Sequence, residues 1–308
     1  MKILVTGGAG FIGSHVCEEL QKNYSHAEVV VLDNLTAGRR ENVPDTFKLV
    51  EMDIRSPELL DFFQAQRFTH VIHLAAQTMV PVSLKDPGLD AQLNVLGLIN
   101  VLEAARKTGV QALIFSSSAA VYGDNTNLPL LETEKLVPTS FYGLTKAVAE
   151  EYFRLYHDLY GLNTTVLRFA NVYGERQGMT GEGGVISIFA QKLAKGEKIT
   201  VFGDGKQTRD FVYVKDIAKA LCLGMEQQGF GIFNVSTGKE TSLNELIATL
   251  GKVMQKEPRV EYTTPRTGDI YRSVLSNVAI SKILHLRSFT SLEEGLRATC
   301  RFFKYSRK

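Results

Sequence analysis

One short stretch of the chain carries residue types that can move a proton. Tyr142-Gly143-Leu144-Thr145-Lys146 puts a phenol and an amine four residues apart, which on a helix is one face. A cation beside a tyrosine stabilises phenolate and is expected to lower its pKa. Tyr142 is therefore a candidate base for a substrate hydroxyl near neutral pH, with Lys146 as its partner. Upstream, Ser116-Ser117-Ser118 closes a run that reads as a strand, and the carboxyl ends of parallel strands are where such sheets present groups to ligands. A tyrosine and a lysine at this spacing also occur on ordinary amphipathic helices, so the pair gains weight only from its surroundings.

A second constellation suits a phosphate. Ile3-Leu4-Val5-Thr6-Gly7-Gly8-Ala9-Gly10-Phe11-Ile12-Gly13 sets glycines at 7, 10 and 13 between a strand and a helix. Small residues there let the backbone turn tightly and approach a pyrophosphate, and the following helix offers free N–H groups and the positive end of its dipole. The spacing is GxxGxxG, and the bland alternative is a mere strand-to-helix turn. Asp33 closes the next strand, 20 residues beyond Gly13. A carboxylate there accepts hydrogen bonds from adenosine ribose hydroxyls and repels a 2′-phosphate, which points to NAD. Arg39 and Arg40 nearby favour NADP, but less directly.

The elements that must hold these groups alternate in type. Lys2–Thr6, Glu28–Leu32, Lys48–Met52, His70–Leu74, Ala112–Ser116 and Thr164–Phe169 read as strands, apolar in continuous runs as in sheets covered on both faces. Helical patterns such as Gly13–Lys22, Pro57–Ala65 and Asp90–Thr108 lie between them. The rhythm predicts an α/β fold with a doubly wound parallel sheet. After Arg168 it loosens: Gly174–Gly184 reads as a long loop and mixed elements follow. We expect a nucleotide-binding domain over 1–172, with a later return near 210–220, and a smaller C-terminal substrate-binding domain over 173–308. The stretches Ala91–Ala105 and Thr145–Leu159 are apolar on more than one side, so both sides must be covered. A helix-to-helix homodimer contact is the favoured cover, and the second domain the alternative.

Composition narrows the field. With 35 basic and 33 acidic residues the net charge is +2, too even for a broad nucleic-acid or membrane surface. Apolar residues at 44% suffice for a core of this size. Cys17, Cys222 and Cys300 match no zinc or redox spacing, which suits unpaired thiols in a reducing compartment. Six histidines occur without HExxH or a ligand cluster, so no metal is expected. The run Ile3–Val5 breaks at once into Thr6-Gly7-Gly8, and no 18-residue apolar stretch occurs. Neither a secretory leader nor a membrane span is expected, and the expected location is the cytoplasm.

In this order, TGGAGFIG, Asp33-Asn34-Leu35, Asp53-Ile54, HLAAQ (73–77), SSSAAVYG (116–123), YGLTK (142–146), RFANVYG (168–174) and RDFVYVKD (209–216) resemble the extended short-chain dehydrogenase/reductases, in particular their UDP-glucose 4-epimerase branch. The likeness spans nearly the whole chain. It implies a Rossmann-like domain, tightly held NAD, a UDP-sugar substrate and usually a homodimer. Carried over, it makes Tyr142 the base, Lys146 its partner and a ribose ligand, and Ser118 the hydroxyl facing the reacting sugar oxygen. Ser118 is chosen among three serines by counting back from Val121-Tyr122-Gly123. Gly7, Gly10, Phe11, Ile12, Gly13, Asp33, Asn34, Leu74, Ala75, Ala76 and Asn94 would line the cofactor, with Asp53 and Ile54 flanking adenine. Asn171, Arg209 and Arg266 would hold the diphosphate, and Asp269 the uridine ribose. Each arginine has a surface ion pair as its alternative. Thr78 departs from the pattern, standing where many relatives carry a lysine near the cofactor phosphates.

The same scaffold serves 4-epimerases, 4,6-dehydratases and uronate decarboxylases. The last two carry an acidic residue one or two places after the catalytic Ser/Thr, where this chain has Ala119 and Ala120. An alanine can neither protonate a leaving hydroxyl nor steer decarboxylation, so 4-epimerisation is the expectation. Family resemblance further makes Ser273, counted from Gly268-Asp269, a gate beside the sugar 2-substituent, wide enough for an N-acetyl group. If the register slides by one, Arg272 faces the sugar instead and favours a uronate carboxylate.

Overall fold

Runs of Val, Ile and Leu flanked by helices assemble into one all-parallel sheet. The computed structural model describes residues 1–178, 184–266 and 270–305. Its seven strands are β1 (Lys2–Thr6), β2 (Glu28–Asp33), β3 (Lys48–Glu51), β4 (His70–His73), β5 (Ala112–Ser118), β6 (Asn163–Phe169) and β7 (Phe230–Val235). They lie in the order β7-β6-β5-β4-β1-β2-β3. Alternate side chains feed two apolar layers. Ile3, Val5, Ile72, Ile114 and Leu167 pack on one face, and Leu4, Val30, Val71, Leu113 and Val166 on the other. This is the doubly wound, Rossmann-like α/β fold that the alternating pattern predicts. Strand β7 was not legible as part of it: Phe230–Val235 includes a glycine and three half-buried residues, and only its pairing with β6 makes it a sheet strand.

The chain crosses from one side of the sheet to the other after β3, so a crevice opens at the carboxyl ends of β1 and β4. Helix α1 (Phe11–Asn23) starts there and α2 (Leu59–Gln66) follows β3. The helix expected over Asp90–Thr108 is divided: Pro87–Ala91 is α-helical, Gln92–Leu96 forms a π turn, and α3 (Gly97–Thr108) completes it. The wider turn sits where Asp90 and Asn94 both face inward and bond to Gln77 and Thr145.

Helix α4 (Phe141–Tyr160) begins at Ser140, whose hydroxyl accepts from the Gly143 amide at 3.1 Å. A Cβ on Gly143 would lie 2.6 Å from the Ala120 carbonyl oxygen. Glycine is therefore what lets the first turn of α4 rest on the turn that follows β5.

Beyond β6 the chain builds a smaller lobe, then returns. Helix α5 (Val214–Gly224) packs on α1, and β7 pairs with β6. The smaller lobe holds the helices Val185–Lys195, Leu243–Met254 and Leu292–Tyr305 and the parallel ladder of Ile199–Phe202 with Val260–Thr263. Phe189, Val201, Leu246 and Leu296 form its core. Of the expected loop Gly174–Gly184, residues 179–183 lie outside the described residues, and Gly184 N-caps the helix Val185–Lys195. The described helices include none long and apolar enough to cross a membrane. The outer face of α4 leaves Phe141, Leu144, Leu155, Leu159 and Tyr160 exposed, and Leu96 of the π turn ahead of α3 is exposed too.

Behind strand β5 lies a buried ion pair. Arg168 at the end of β6 reaches Glu150 of α4 at 2.6 Å, both almost wholly buried. Its guanidinium also donates to the Tyr122 hydroxyl at 2.8 Å and the Glu132 carbonyl at 2.9 Å. Breaking such a pair strands a charge in the core, whereas replacing both partners does not. Arg168→Met is expected to lower unfolding free energy by about 3–5 kcal/mol, and the double variant Arg168→Met/Glu150→Leu to recover most of that. Denaturant unfolding checks this; equal stability of single and double variants would refute it.

Candidate active site

A cavity of about 640 Å³ runs along the carboxyl edge of the sheet from Asp33 to Tyr142. Gly7, Gly10, Phe11, Ile12 and Gly13 form one wall. Gly7 is left-handed at φ 71°, and a Cβ there would lie 2.7 Å from the Ala75 amide nitrogen. A Cβ on Gly13 would lie 2.2 Å from the Gly7 carbonyl oxygen, whereas one on Gly10 meets only that same oxygen, at 3.3 Å. Two glycines thus close the turn upon itself while the third leaves the cavity side open. Helix α1 has no side-chain cap and no acidic residue in its first turn, so its N–H groups point into the cavity unsatisfied, as an anion requires.

Asp33 is 6% exposed. Its Oδ2 accepts the Ala9 amide at 3.0 Å and its Oδ1 the Leu35 amide at 2.8 Å. Burial pushes its pKa up and these two bonds oppose the rise. Each oxygen keeps a lone pair for a ribose hydroxyl. The competing basic pair is engaged with carboxylates, Arg39 with Glu41 at 3.5 Å and Arg40 with Glu51 at 2.9 Å. These features fit the adenosine half of NAD. Asn34 donates to Asp53 at 3.0 Å, and Arg55 beside Asp53 holds its carboxyl far below the usual range. Asn34, Asp53 and Ile54 line the cavity, as do Leu74, Ala75 and Ala76. That last loop hangs on Thr6, whose hydroxyl accepts the Leu74 and Ala75 amides at 3.2 and 3.3 Å and lies 2.7 Å from His73 Nδ1. Burial pushes the His73 pKa down to about 3 and the Lys146 charge adds to this, so the ring is neutral.

Asn94 is placed differently from expectation. It does not line the cavity: its Oδ1 accepts the Gln77 amide and its Nδ2 donates to the Gln77 carbonyl, both at 2.9 Å. It braces a wall residue. Sequence reasoning missed Gln77, Gly38, Phe169, Arg176 and Gln177 on the cavity wall. Gln77 and Phe169 stood within the motifs HLAAQ and RFANVYG, and Gly38 is a glycine just beyond Asp33, where a Cβ would lie 2.9 Å from Asp33 Oδ1.

At the opposite end the three serines divide their work. Ser117 donates to Glu150 on the far side of the strand. Ser116 Oγ donates to the His73 carbonyl at 3.3 Å. Ser118 accepts the Ala120 amide at 3.2 Å, and its hydroxyl acts on the Tyr142 phenol, favouring the ionised form. Lys146 Nζ donates to the Ser116 carbonyl at 2.8 Å, lies over the Phe115 ring at 4.6 Å, and is 5.9 Å from the centre of the Tyr142 ring. Burial pushes Lys146 down to about 8, with Asp90 and Glu150 opposing. The expected lowering of Tyr142 is reversed in the protein by itself. Burial raises its pKa and Asp90 adds to the rise, while only Ser118 opposes. Desolvation of the phenol outweighs its neighbours.

The other substrate candidates lie outside this cavity lining. Asn171 starts the short ladder Asn171–Tyr173 with Phe211–Tyr213, and its amide donates to the Asp210 carbonyl at 2.9 Å. Arg209 pairs with Thr241 in a second ladder and donates to the Thr208 carbonyl. Arg266 stacks on Phe202, 3.9 Å from the ring centre. Ser273 is half-buried between Tyr271, whose carbonyl accepts the Thr208 amide, and Val274, whose carbonyl accepts the Leu130 amide. Arg272 is bound by Glu240 at 2.6 Å. Asp269 lies outside the described residues. Among the described residues no cluster of His, Cys, Asp or Glu could hold a metal, and all three cysteines are buried and unpaired.

Comparison with known proteins adds three relationships and a family. Residues 3–236 match the NAD dependent epimerase/dehydratase family. The UDP-glucose 4-epimerase of Mycolicibacterium smegmatis is 38% identical over 311 residues, 99% of each chain. The crystal structure of the UDP-glucose 4-epimerase of Thermotoga maritima with UDP-glucose superposes with a TM-score of 0.95 at 41% identity, covering 100% of both chains. The UDP-N-acetylglucosamine 4-epimerase of Methanobrevibacter ruminantium, in complex with UDP-N-acetylmuramic acid, gives 0.92 at 35% identity, covering 99% of this chain and 98% of the other.

A methyl at position 13 has nowhere to go. Gly13→Ala is expected to lose bound nucleotide and to cost about 1–3 kcal/mol through forced backbone shifts. Heat-denatured wild type should release about one NAD(H) per chain and the variant almost none. Equal release from both, or release of NADP, would contradict this account.

Proposed function

The chain belongs to the NAD dependent epimerase/dehydratase family, and from that premise we propose that it is a UDP-hexose 4-epimerase, an isomerase that passes through a 4-keto sugar. NAD is its cofactor. One observation carries the reading: Tyr142, Ser118 and Lys146 converge at one end of the cofactor cavity, and Ala119 and Ala120 follow Ser118. Proton transfer at a hydroxyl is provided for. The acid that elimination or decarboxylation needs is missing from those two positions.

When bound, NAD supplies reversible hydride chemistry at sugar C4. The protein supplies proton transfer and position. Tyr142 takes the 4-hydroxyl proton, with Ser118 hydrogen-bonded to both oxygens. The Lys146 ammonium, tethered to the Ser116 carbonyl, favours the phenolate at the moment of transfer. Asn171, Arg209 and Arg266 grip the diphosphate at the smaller lobe, about which the keto sugar turns its other face to the cofactor. Tyr142 then returns the proton. Net redox change is zero.

The N-acetyl sugars are substrates as well in this reading. Ser273 is smaller than the tyrosine that would close the gate, and the 35%-identical relative is a UDP-N-acetylglucosamine 4-epimerase. The uronate alternative is not favoured, because Arg272 gives its guanidinium to Glu240 in two hydrogen bonds at 3.0 and 2.6 Å. The division into a nucleotide domain over 1–172 and a sugar domain over 173–308 belongs to the same proposal, as does a homodimer through α3 and α4. The exposed Leu155, Leu159 and Tyr160 support that dimer. The buried unpaired cysteines suit a reducing cytoplasm.

Purified protein should equilibrate UDP-galactose with UDP-glucose without an added redox partner. Tyr142→Phe is expected to lose about 10²–10⁴-fold in turnover while keeping its nucleotide. Turnover at the wild-type rate in the folded variant, or a 4-keto-6-deoxy product from wild type, would reject the function. For the sugar, Ser273→Tyr should lose UDP-GlcNAc epimerisation and keep that of UDP-glucose. Wild type that acts on UDP-glucuronate and on no N-acetyl sugar would show the gate to be misassigned.

A further inference from the structure

Asp90 is a carboxylate with no solvent exposure, and none of the roles above uses it. It lies in the short helix Pro87–Ala91, just ahead of the π turn. Three side chains donate to it: Gln77 Nε2 at 2.6 Å and Asn94 Nδ2 at 3.2 Å to Oδ1, and Thr145 Oγ1 at 2.9 Å to Oδ2. Each of them leads to the site. Gln77 lines the cofactor cavity, clamped by Asn94 on its main-chain N–H and carbonyl. Thr145 sits on the helical turn between Tyr142 and Lys146, and its hydroxyl is also 3.0 Å from the Tyr142 carbonyl oxygen.

We propose that Asp90 is a positioning residue for the proton-transfer pair: its carboxylate ties the turn bearing Tyr142 and Lys146 to the cavity-wall loop at Gln77, and its negative charge acts on both members of the pair. An asparagine can keep these contacts, its oxygen accepting from Gln77 and Asn94 and its amide donating to the Thr145 hydroxyl, but it carries no charge. The charge has opposite meanings for the two partners. It helps the buried Lys146 keep its proton, as Glu150 of α4 also does. It opposes ionisation of Tyr142. His73 of β4, which also faces Lys146, is neutral, and Glu150 is itself paired with Arg168 of β6.

The sign of the effect follows. Removing the charge at 90 lets Tyr142 ionise at lower pH and lets Lys146 lose its proton at lower pH. Activity that needs phenolate and ammonium together rises up to the lower of the two titrations, that of Lys146 at about 8, and falls beyond the higher, that of Tyr142, which burial raises. Both limbs therefore move in the same direction, whereas a purely structural defect lowers the height of the bell and leaves its limbs in place.

The inference rests on the epimerase reading for its assay. Wild-type, Asp90→Asn and Asp90→Glu holoenzymes are compared for UDP-galactose epimerisation across pH. In Asp90→Asn both limbs are expected to move to lower pH by about half a unit or more, and Asp90→Glu, which keeps the charge, should retain the wild-type limbs. Unmoved limbs in Asp90→Asn, or equal shifts in Asp90→Glu, would overturn the proposal. Should Asp90→Asn fail to fold, Asp90→Ser removes the same charge with less bulk; failure of both to yield folded holoenzyme would assign Asp90 to stability and also overturn it. An inactive wild type would instead reject the epimerase reading. The phenolate absorbance difference between each protein and its Tyr142→Phe counterpart then reads the Tyr142 titration without turnover, with a shift to lower pH expected in Asp90→Asn and no shift overturning the inference.

Discussion

A lysine that must remain charged inside an apolar sheet domain is the constraint around which this structure is organised. Lys146 is 3% exposed, and taking an ammonium out of water carries a penalty of several kcal/mol unless charge and hydrogen bonds offset it. The fold responds with alternating charges. Asp90 and Glu150 oppose the desolvation of Lys146, and Arg168 in turn neutralises Glu150. The Ser116 carbonyl and the Phe115 ring complete the cradle. The compensation is partial, and Lys146 stays near pKa 8. For a group whose charge is needed only while a neighbouring phenol ionises, partial compensation places the titration close to the working range.

The sheet edge does the positioning. Strands β1 and β4 end together in register, with Thr6 against His73, while β5 pairs Phe115 with His73 and runs on to Ser118. The loops that leave them converge on one crevice. Strand geometry alone sends Ser116 and Ser118 to one side and Ser117 to the other, which is why three consecutive serines have three different partners. Two close backbone approaches set the ends of the crevice: Gly13 against Gly7, and Gly143 against Ala120. The first brings a helix N-terminus to the phosphate position. The second brings Tyr142 to Ser118.

Cofactor and sugar are served by differently built halves. The nucleotide wall consists of glycines, the start of a long helix, and the carboxylates Asp33 and Asp53 at and beyond strand ends, and a methyl group is too large at Gly7 and Gly13. The residues proposed for the sugar nucleotide stand on two-residue and three-residue ladders, Thr208–Arg209 and Asn171–Tyr173, beside a lobe with its own core.

Much of the cofactor half was legible from residue type and spacing, since a parallel βαβ pattern, three glycines and Asp33 leave few alternative arrangements. The Tyr142–Lys146 pair followed from helical spacing, and the choice of Ser118 from family resemblance, by counting back from Val121-Tyr122-Gly123. Three matters depended on the tertiary structure. Strand β7 is too weakly patterned to announce itself and exists through its partner β6. Asn94 is legible as polar and inward, but whether it touches ligand or braces Gln77 depends on a π turn that no periodicity predicts. The direction of the Tyr142 pKa depends on how far the phenol is removed from water, and sequence spacing gives its neighbours but not its burial. Local sequence determines which chemical groups are available and on which face they lie. Desolvation and the bonds of remote side chains, Asp90 to Thr145 across 55 residues, are decided only when the chain is packed.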